Sequence, residues 1–96
     1  MDQPLLAANA LYDIGVSYVR EKRYDEAVLT FSRVRTDFAG AEDWYTLSLL
    51  GLGESLEALQ RPTEAKLIYE LVLSLRGDDD FGKTAQARLK RLAKMR

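Results

Sequence analysis

The sequence predicts an all-α domain of five helices joined by short turns. Apolar residues recur at the three- and four-residue spacing of amphipathic helices along most of the 96-residue chain. Glycine and proline interrupt this spacing at only a few places, and no segment shows the apolar–polar alternation of a half-buried strand. A chain of this length suits one domain built on a single hydrophobic core.

The first predicted helix extends from Pro4 to about Lys22, and proline is favoured in a first turn because its missing N–H has no partner there. Its apolar residues are Leu5, Ala8, Leu11, Tyr12, Gly15, Val16, Tyr18 and Val19. A second helix is predicted from about Tyr24 to Asp37. Its apolar residues are Ala27, Val28, Phe31 and Val34.

The third predicted helix, from Glu42 to Gln60, is apolar on nearly every side, and such a helix is normally buried. Its large apolar residues are Trp44, Tyr45, Leu47, Leu49, Leu50, Leu52, Leu56 and Leu59. Glycine inside a helix costs roughly 1 kcal/mol relative to alanine. We therefore expect neighbouring helices to approach the backbone at Gly51 and Gly53, which makes this the central helix.

The last two predicted helices lie on either side of Gly77, a plausible helix stop. The fourth extends from Pro62 to about Arg76 with the apolar face Ala65, Ile68, Tyr69, Val72 and Leu75. Asp78, Asp79 and Asp80 supply an N-cap for the fifth. That helix is predicted to place Phe81, Ala85, Leu89 and Leu92 on one side and Lys83, Arg88, Lys90, Arg91, Lys94 and Arg96 on the other.

The composition argues against catalysis and against a cofactor or metal site. The chain has no histidine and no cysteine, which removes thiolate nucleophiles, imidazole bases, disulfides and nearly every zinc site. No apolar run reaches the roughly 18 residues that a membrane span needs. The N-terminus lacks the basic and apolar regions of a signal peptide, so the chain as it stands is expected in the cytoplasm.

A repeat with an offset of 38 residues relates the first helix pair to the second. In the first helices, Leu11, Ile14, Gly15 and Tyr18 align with Leu49, Leu52, Gly53 and Leu56. In the second helices, Glu26, Ala27, Phe31 and Val34 align with Glu64, Ala65, Tyr69 and Val72. This register predicts one repeat over about residues 5–39, a second over about 42–77, and a terminal helix over about 79–96.

The shared pattern, apolar-x2-Leu-Gly-x2-Tyr followed by Ala-x3-Phe, resembles the tetratricopeptide repeat. The resemblance implies an α-solenoid of two helix pairs with the fifth helix as its cap. It places the repeat glycines and alanines where the helices of one pair meet, and Phe31 and Tyr69 between successive units. The chain departs from the family pattern in having Leu11 and Leu49 in place of tryptophan, Leu56 in place of tyrosine, and no proline closing each repeat.

A 38-residue period is similar to that of bacterial cell-envelope tetratricopeptide proteins. The ending YELVLSLRGDDDFGKTAQARLKRL is also similar to the last repeat and terminal helix of the Tol–Pal-associated periplasmic family. This similarity implies a periplasmic location if the chain is a fragment of such an envelope protein.

The resemblance also implies a concave face, lined by the first helix of each repeat, that binds a peptide or helix of another protein. By register its residues are Asn9, Tyr12, Val16, Val19 and Arg20 in repeat 1 and Leu47, Leu50, Glu54, Glu57 and Ala58 in repeat 2. The face is mostly apolar with an acidic end. Some family members bind a C-terminal carboxylate through lysine, arginine and asparagine side chains. The matching positions of this chain hold Tyr12, Val16 and Leu50 instead.

Other roles remain open for the same residues. The apolar face could build a homo-oligomer, or Val16, Leu47 and Leu50 could simply be covered by the first and fifth helices. A di-metal site in a helical bundle needs more carboxylates, and histidine, beyond Glu54 and Glu57, so these two form a solvated patch or orient a basic group of a partner. Finally, the basic fifth helix could contact phosphate or nucleic acid, although no aromatic residue follows Phe81 to stack on a base.

Overall fold

The chain forms five α-helices within residues 3–94, the part that the computed structural model describes. They are α1 (Gln3–Arg20), α2 (Tyr24–Asp37), α3 (Glu42–Ala58), α4 (Pro62–Arg76) and α5 (Asp80–Lys94). Together they make a flat molecule of 43 × 31 × 18 Å. Helices α1 and α2 pack as one pair, α3 and α4 as a second, and α5 packs mainly on α4. No helix in this part of the chain is both long and apolar enough to cross a membrane.

Helix α3 is the centre of the fold, as the sequence predicts. It contacts each of the other four helices, and only the side that carries Leu47, Glu54 and Ala58 is not buried. The buried residues on its other sides are Thr46, Ser48, Leu49, Leu50, Leu52, Gly53, Ser55 and Leu56. The hydroxyl of Ser55 donates to the carbonyl of Gly51 at 2.9 Å, so this polar group is satisfied inside the helix.

The turn inside each pair has the same geometry in both repeats. Lys22 and Gln60, 38 residues apart, adopt left-handed conformations with φ of 60° and 62°. The next amide closes the turn in each case: Arg23 N–H donates to the Tyr18 carbonyl at 2.8 Å, and Arg61 N–H to the Leu56 carbonyl at 2.9 Å. These are Schellman caps. They end α1 and α3 about two residues earlier than predicted.

Glycine at a left-handed turn position is expected to stabilise the protein. An L-residue in this conformation costs about 1–2 kcal/mol, which glycine avoids. We predict that Gln60→Gly raises the free energy of unfolding by about 1 kcal/mol. The matched control is Gln86→Gly at an exposed position inside α5, which should lower it by about 1 kcal/mol. Urea denaturation measures the change in the free energy of unfolding for each variant. Two changes in the same direction would contradict the prediction.

Aromatic rings fill the spaces that the helix glycines leave. A Cβ on Gly15 or on Gly51 would lie 2.7 or 2.6 Å from Cζ of Phe31, and a Cβ on Gly53 would lie 2.8 Å from Cζ of Tyr69. The predicted close neighbours of α3 are therefore ring side chains from α2 and α4 rather than helix backbones. Phe31 lies between the two repeats, and Tyr69 lies between repeat 2 and α5.

The α4–α5 corner is closed by the predicted glycine stop and aspartate cap. Gly77 ends α4 with φ of 57°, and Asp79 accepts the Gly82 N–H at 3.0 Å. Arg76 joins this corner to α3, because its guanidinium contacts Asp79 at 2.7 Å and Asp43 at 3.1 Å and lies 4.5 Å from the centre of the Phe81 ring. The Gly82 amide, followed by Arg76, lowers the pKa of the Asp79 carboxyl.

Four residues differ from their predicted surroundings. Leu75 is predicted on the apolar face of α4 but is 52% exposed, whereas Val72 of the same face is fully buried. Arg88 and Arg91 are predicted on the outer side of α5. Arg88 is instead partly buried against α3 and Tyr69, and Arg91 pairs with Glu57 of α3. Ile14 is 46% exposed whereas its repeat equivalent Leu52 is 3% exposed. The reason is that α1 lies at one end of the row of helices and contacts only α2 and α3 among the described helices. Arg96 lies outside the described residues.

Candidate functional site

Seven of the ten residues predicted for the concave face line one cavity between α1 and α3. This cavity, called the inner cavity below, has a volume of about 280 Å³. The predicted residues in its wall are Tyr12, Val16, Val19, Arg20, Leu47, Leu50 and Glu54, and Phe31, Gly51 and Arg88 complete it. The register of the repeat thus brings together side chains that are far apart in the sequence.

An aromatic series forms the floor of the inner cavity. Phe31 reaches it from α2 through the gaps at Gly15 and Gly51. Tyr12 packs against Phe31 on one side and Trp44 on the other, with ring centroids 6.0 and 5.8 Å apart and interplanar angles of 45°. Burial, with the nearby carboxylates of Asp13 and Glu54, raises the pKa of the Tyr12 phenol. Tyr12 is therefore neutral, and its ring serves as an apolar wall.

The apolar walls differ in how much surface they offer. Leu50 is 8% exposed, so it is largely covered, as one of the alternative interpretations requires. Val16 and Leu47 are half-buried and keep surface toward the cavity. A partner would therefore contact Val16 and Leu47 first, with Leu50 beneath them.

The acidic end of the predicted face is paired with α5. Arg91 Nη2 lies 2.6 Å from each carboxylate oxygen of Glu57, and the Tyr69 hydroxyl donates to the same carboxylate. Burial, followed by this hydrogen bond to Glu57, raises the pKa of Tyr69. Glu57 is only 14% exposed and does not line the inner cavity. It thus holds α5 on α3.

Glu54 keeps a more open position than Glu57. It is 54% exposed, and Arg88 Nη1 lies 3.6 Å from its carboxylate. The Arg88 guanidinium also lies 5.7 Å from the centre of the Tyr69 ring.

Neither Asn9 nor Ala58 belongs to the wall of the inner cavity. Two cations of α5, Arg88 and Arg91, thus face α3, while Lys83, Lys90 and Lys94 are exposed.

A second cavity adjoins the first at Leu47. This end cavity has a volume of about 310 Å³, and its wall consists of Leu5, Ala41, Glu42, Asp43, Trp44, Leu47 and Phe81. Sequence reasoning missed it because its apolar side chains come from three separate helices and a loop. The available signal was Trp44 and Phe81, two aromatic residues near helix starts.

The opposite face, formed by α2 and α4, carries another apolar depression of about 400 Å³. Val28, Leu52, Leu56, Leu67, Ile68 and Leu71 contribute its apolar lining. Arg61 and Glu64 at its edge are paired with each other at 2.7 Å. This outer depression is the comparison site when binding to the inner cavity is tested.

Comparison with known proteins agrees with the repeat register. The family model described as tetratricopeptide repeat matches residues 9–41 and 47–79, again 38 residues apart and covering about two thirds of the chain. No curated protein and no solved structure gave a significant match. Repeats of this family generally mediate protein–protein interactions and are typically non-catalytic. The sequence pattern, the paired helices and the family match establish that this chain belongs to the tetratricopeptide repeat family.

Proposed function

We propose that the chain binds an apolar segment of a partner protein in the inner cavity. The observation that carries this proposal is the convergence of half-buried Val16 and Leu47 on a floor of Phe31 and Tyr12. Apolar surface of this kind, rimmed by charged side chains, is typical of protein-binding sites. Arg20 and Glu54 form the rim here.

The proposed interaction needs no movement of the main fold. The cavity exists in the chain alone, and its walls are held by the packing of Phe31 between two glycines. A preformed site loses less entropy on binding than one that must first become ordered. Affinity is expected to come from the burial of one or two partner side chains, with the charged rim setting orientation.

Leu47→Asp is the variant that tests this site. A charge in the wall shared by both cavities should weaken binding at least about tenfold, equal to about 1.4 kcal/mol. The half-buried position lets the new carboxylate reach water, so the fold should survive. Leu50→Asp is a poorer choice because that side chain is 8% exposed. Leu75→Asp is the matched control, because Leu75 is 52% exposed and lines neither cavity.

The measurement starts from a displayed peptide library selected on the wild-type protein. Affinities of the enriched peptides for the wild type and both variants are then compared, and amide NMR shifts map each binding site. Shifts centred on α2 and α4, or equal affinity for Leu47→Asp, would contradict the proposal. Light scattering accompanies the series: a wild-type dimer that Leu47→Asp converts to a monomer would assign the face to self-association instead.

A further inference from the structure

We infer that the two adjoining cavities form one groove that binds an amphipathic helix of the partner in a single direction, with the basic N-terminal end of that helix beside Glu42 and Asp43 and its acidic C-terminal end beside Arg20 and Arg88. This inference rests on the proposed function, since it uses the inner cavity as half of the groove. It extends that site to the end cavity and assigns the charge pattern of the partner.

The groove follows α3, which supplies wall residues to both cavities. Asp43 and Leu47 line the end cavity, and Leu47 and Glu54 line the inner one. From residue 43 to residue 54, a helix rises about 16 Å at about 1.5 Å per residue. The groove therefore accommodates about three turns of a partner helix, with apolar side chains on one face entering the two cavities.

The chemistry of the walls favours a helix over an extended strand. Helices form almost the whole groove, and beyond the first turn of α3 their backbone amides and carbonyls are already bonded within each helix. An extended segment would place its own backbone groups against Val16 and Leu47, whose side chains offer no hydrogen-bond partner. A helix satisfies its backbone internally and presents only side chains.

The end cavity is the negative end of the groove. Glu42 forms no ion pair with any residue of the described part of the chain, and Arg76 is shared between Asp43 and Asp79. Two carboxylates thus share one guanidinium, and Glu42 adds a third negative charge to the wall of the end cavity. The dipole of α3 offsets about half a charge at this end, which leaves the region acidic.

The inner cavity is the positive end. Arg20 and Arg88 both line it, and Glu54 is the only carboxylate in its wall. Arg20 is exposed and has no ion-pair partner among residues 3–94. The Arg88 side chain, which is 27% exposed and lies 3.6 Å from Glu54, adds a second cation to the same wall. The positive N-terminus of a partner helix therefore suits the Glu42 end, and its negative C-terminus suits the Arg20 end.

Three helix-stapled synthetic peptides with the same leucine face test the assignment. The first has two lysines at its N-terminal end and two glutamates at its C-terminal end, the second has lysines at both ends, and the third has glutamates at both. Trp44, the single tryptophan of the chain and a wall residue of the end cavity, reports binding by fluorescence. Exposed charge pairs have modest energies, so the first peptide should bind about fivefold more tightly than either other at low salt, with a smaller difference at high salt.

Arg20→Glu should reverse this preference. With a carboxylate at position 20, the peptide with lysines at both ends should become the tightest of the three. Arg33→Glu, the same charge change at an exposed position of α2, is the matched control and should keep the wild-type order. Equal affinities for the three peptides, an unchanged order in Arg20→Glu, or no saturable binding of the first peptide at about 1 mM would each overturn the inference.

The same series separates this inference from the proposed function. Charge-independent binding that is lost in Leu47→Asp would leave the proposed function standing and overturn only the directional groove. The same holds if library-selected peptides map to the inner cavity while the stapled helix fails to bind. Binding of every peptide undiminished by Leu47→Asp would instead contradict the proposed function itself.

Discussion

Gly82→Ala is expected to detach the first turn of α5 from α4. A Cβ at position 82 would overlap the carbonyl oxygen of Gly77 and lie 2.7 Å from its carbonyl carbon. Neither backbone can yield easily, because Gly77 has the conformation that ends α4 and Asp79 caps α5 through the Gly82 amide. Alanine recovers about 1 kcal/mol of helix propensity, but overpacking against backbone outweighs it. We expect a net loss of about 2 kcal/mol or more in the free energy of unfolding.

The consequences of Gly82→Ala should be largest where α5 covers the rest of the protein. Hydrogen exchange of α5 amides should accelerate, and Tyr69, which is fully buried in the wild type, should gain exposure. Gly40→Ala is the matched control, because a Cβ there has no atom within 4 Å; it should be neutral or slightly stabilising. If urea denaturation gave the two variants equal stability, the close approach of the α4–α5 corner would not be a constraint on the fold.

Local sequence patterns predicted the helices and their order well. The period of the apolar residues placed all five helices. Local chemistry alone identified the Gly77 stop and a cap within residues 78–80, and the capping residue is Asp79. The repeat register then brought Tyr12, Val16 and Leu47 to the same cavity. These features depend on spacings within one helix or on one fixed offset, which a single sequence displays directly.

Contacts between distant side chains could not be predicted in this way. Arg91 and Glu57 meet across 34 residues, and neither position is unusual for a solvent-exposed charge in an amphipathic helix. The rotation of α5 about its axis decides whether Arg88 faces α3 or water, and helical period alone does not fix that rotation. Gly82 went unnoticed for a similar reason, since its steric role depends on the path of the chain at Gly77.

Phe31→Ala is expected to cause the largest loss in the free energy of unfolding. It should also reverse the sign of the effect of Gly15→Ala. Phe31 is 1% exposed and fills the space between α1 and α3, so its removal should cost about 3–5 kcal/mol. A domain of this size has a total stability of about 5–14 kcal/mol. In the wild type, Gly15→Ala should cost about 1–3 kcal/mol, because the new Cβ would lie 2.7 Å from Cζ of Phe31.

In the Phe31→Ala background, the same Gly15→Ala substitution should stabilise the protein by up to about 1 kcal/mol, because alanine is the better helix former once the ring is gone. The thermodynamic cycle measured by urea denaturation should therefore give a coupling of about 2 kcal/mol or more between positions 15 and 31. Phe31→Leu supplies the same cycle if the alanine variant is too unstable to measure. Additivity within about 0.5 kcal/mol would show that the ring does not depend on the glycine gap. Since Phe31 is also the floor of the inner cavity, the residue that joins the repeats is the one that shapes the proposed binding site. Peptide affinity should therefore fall together with stability across this series.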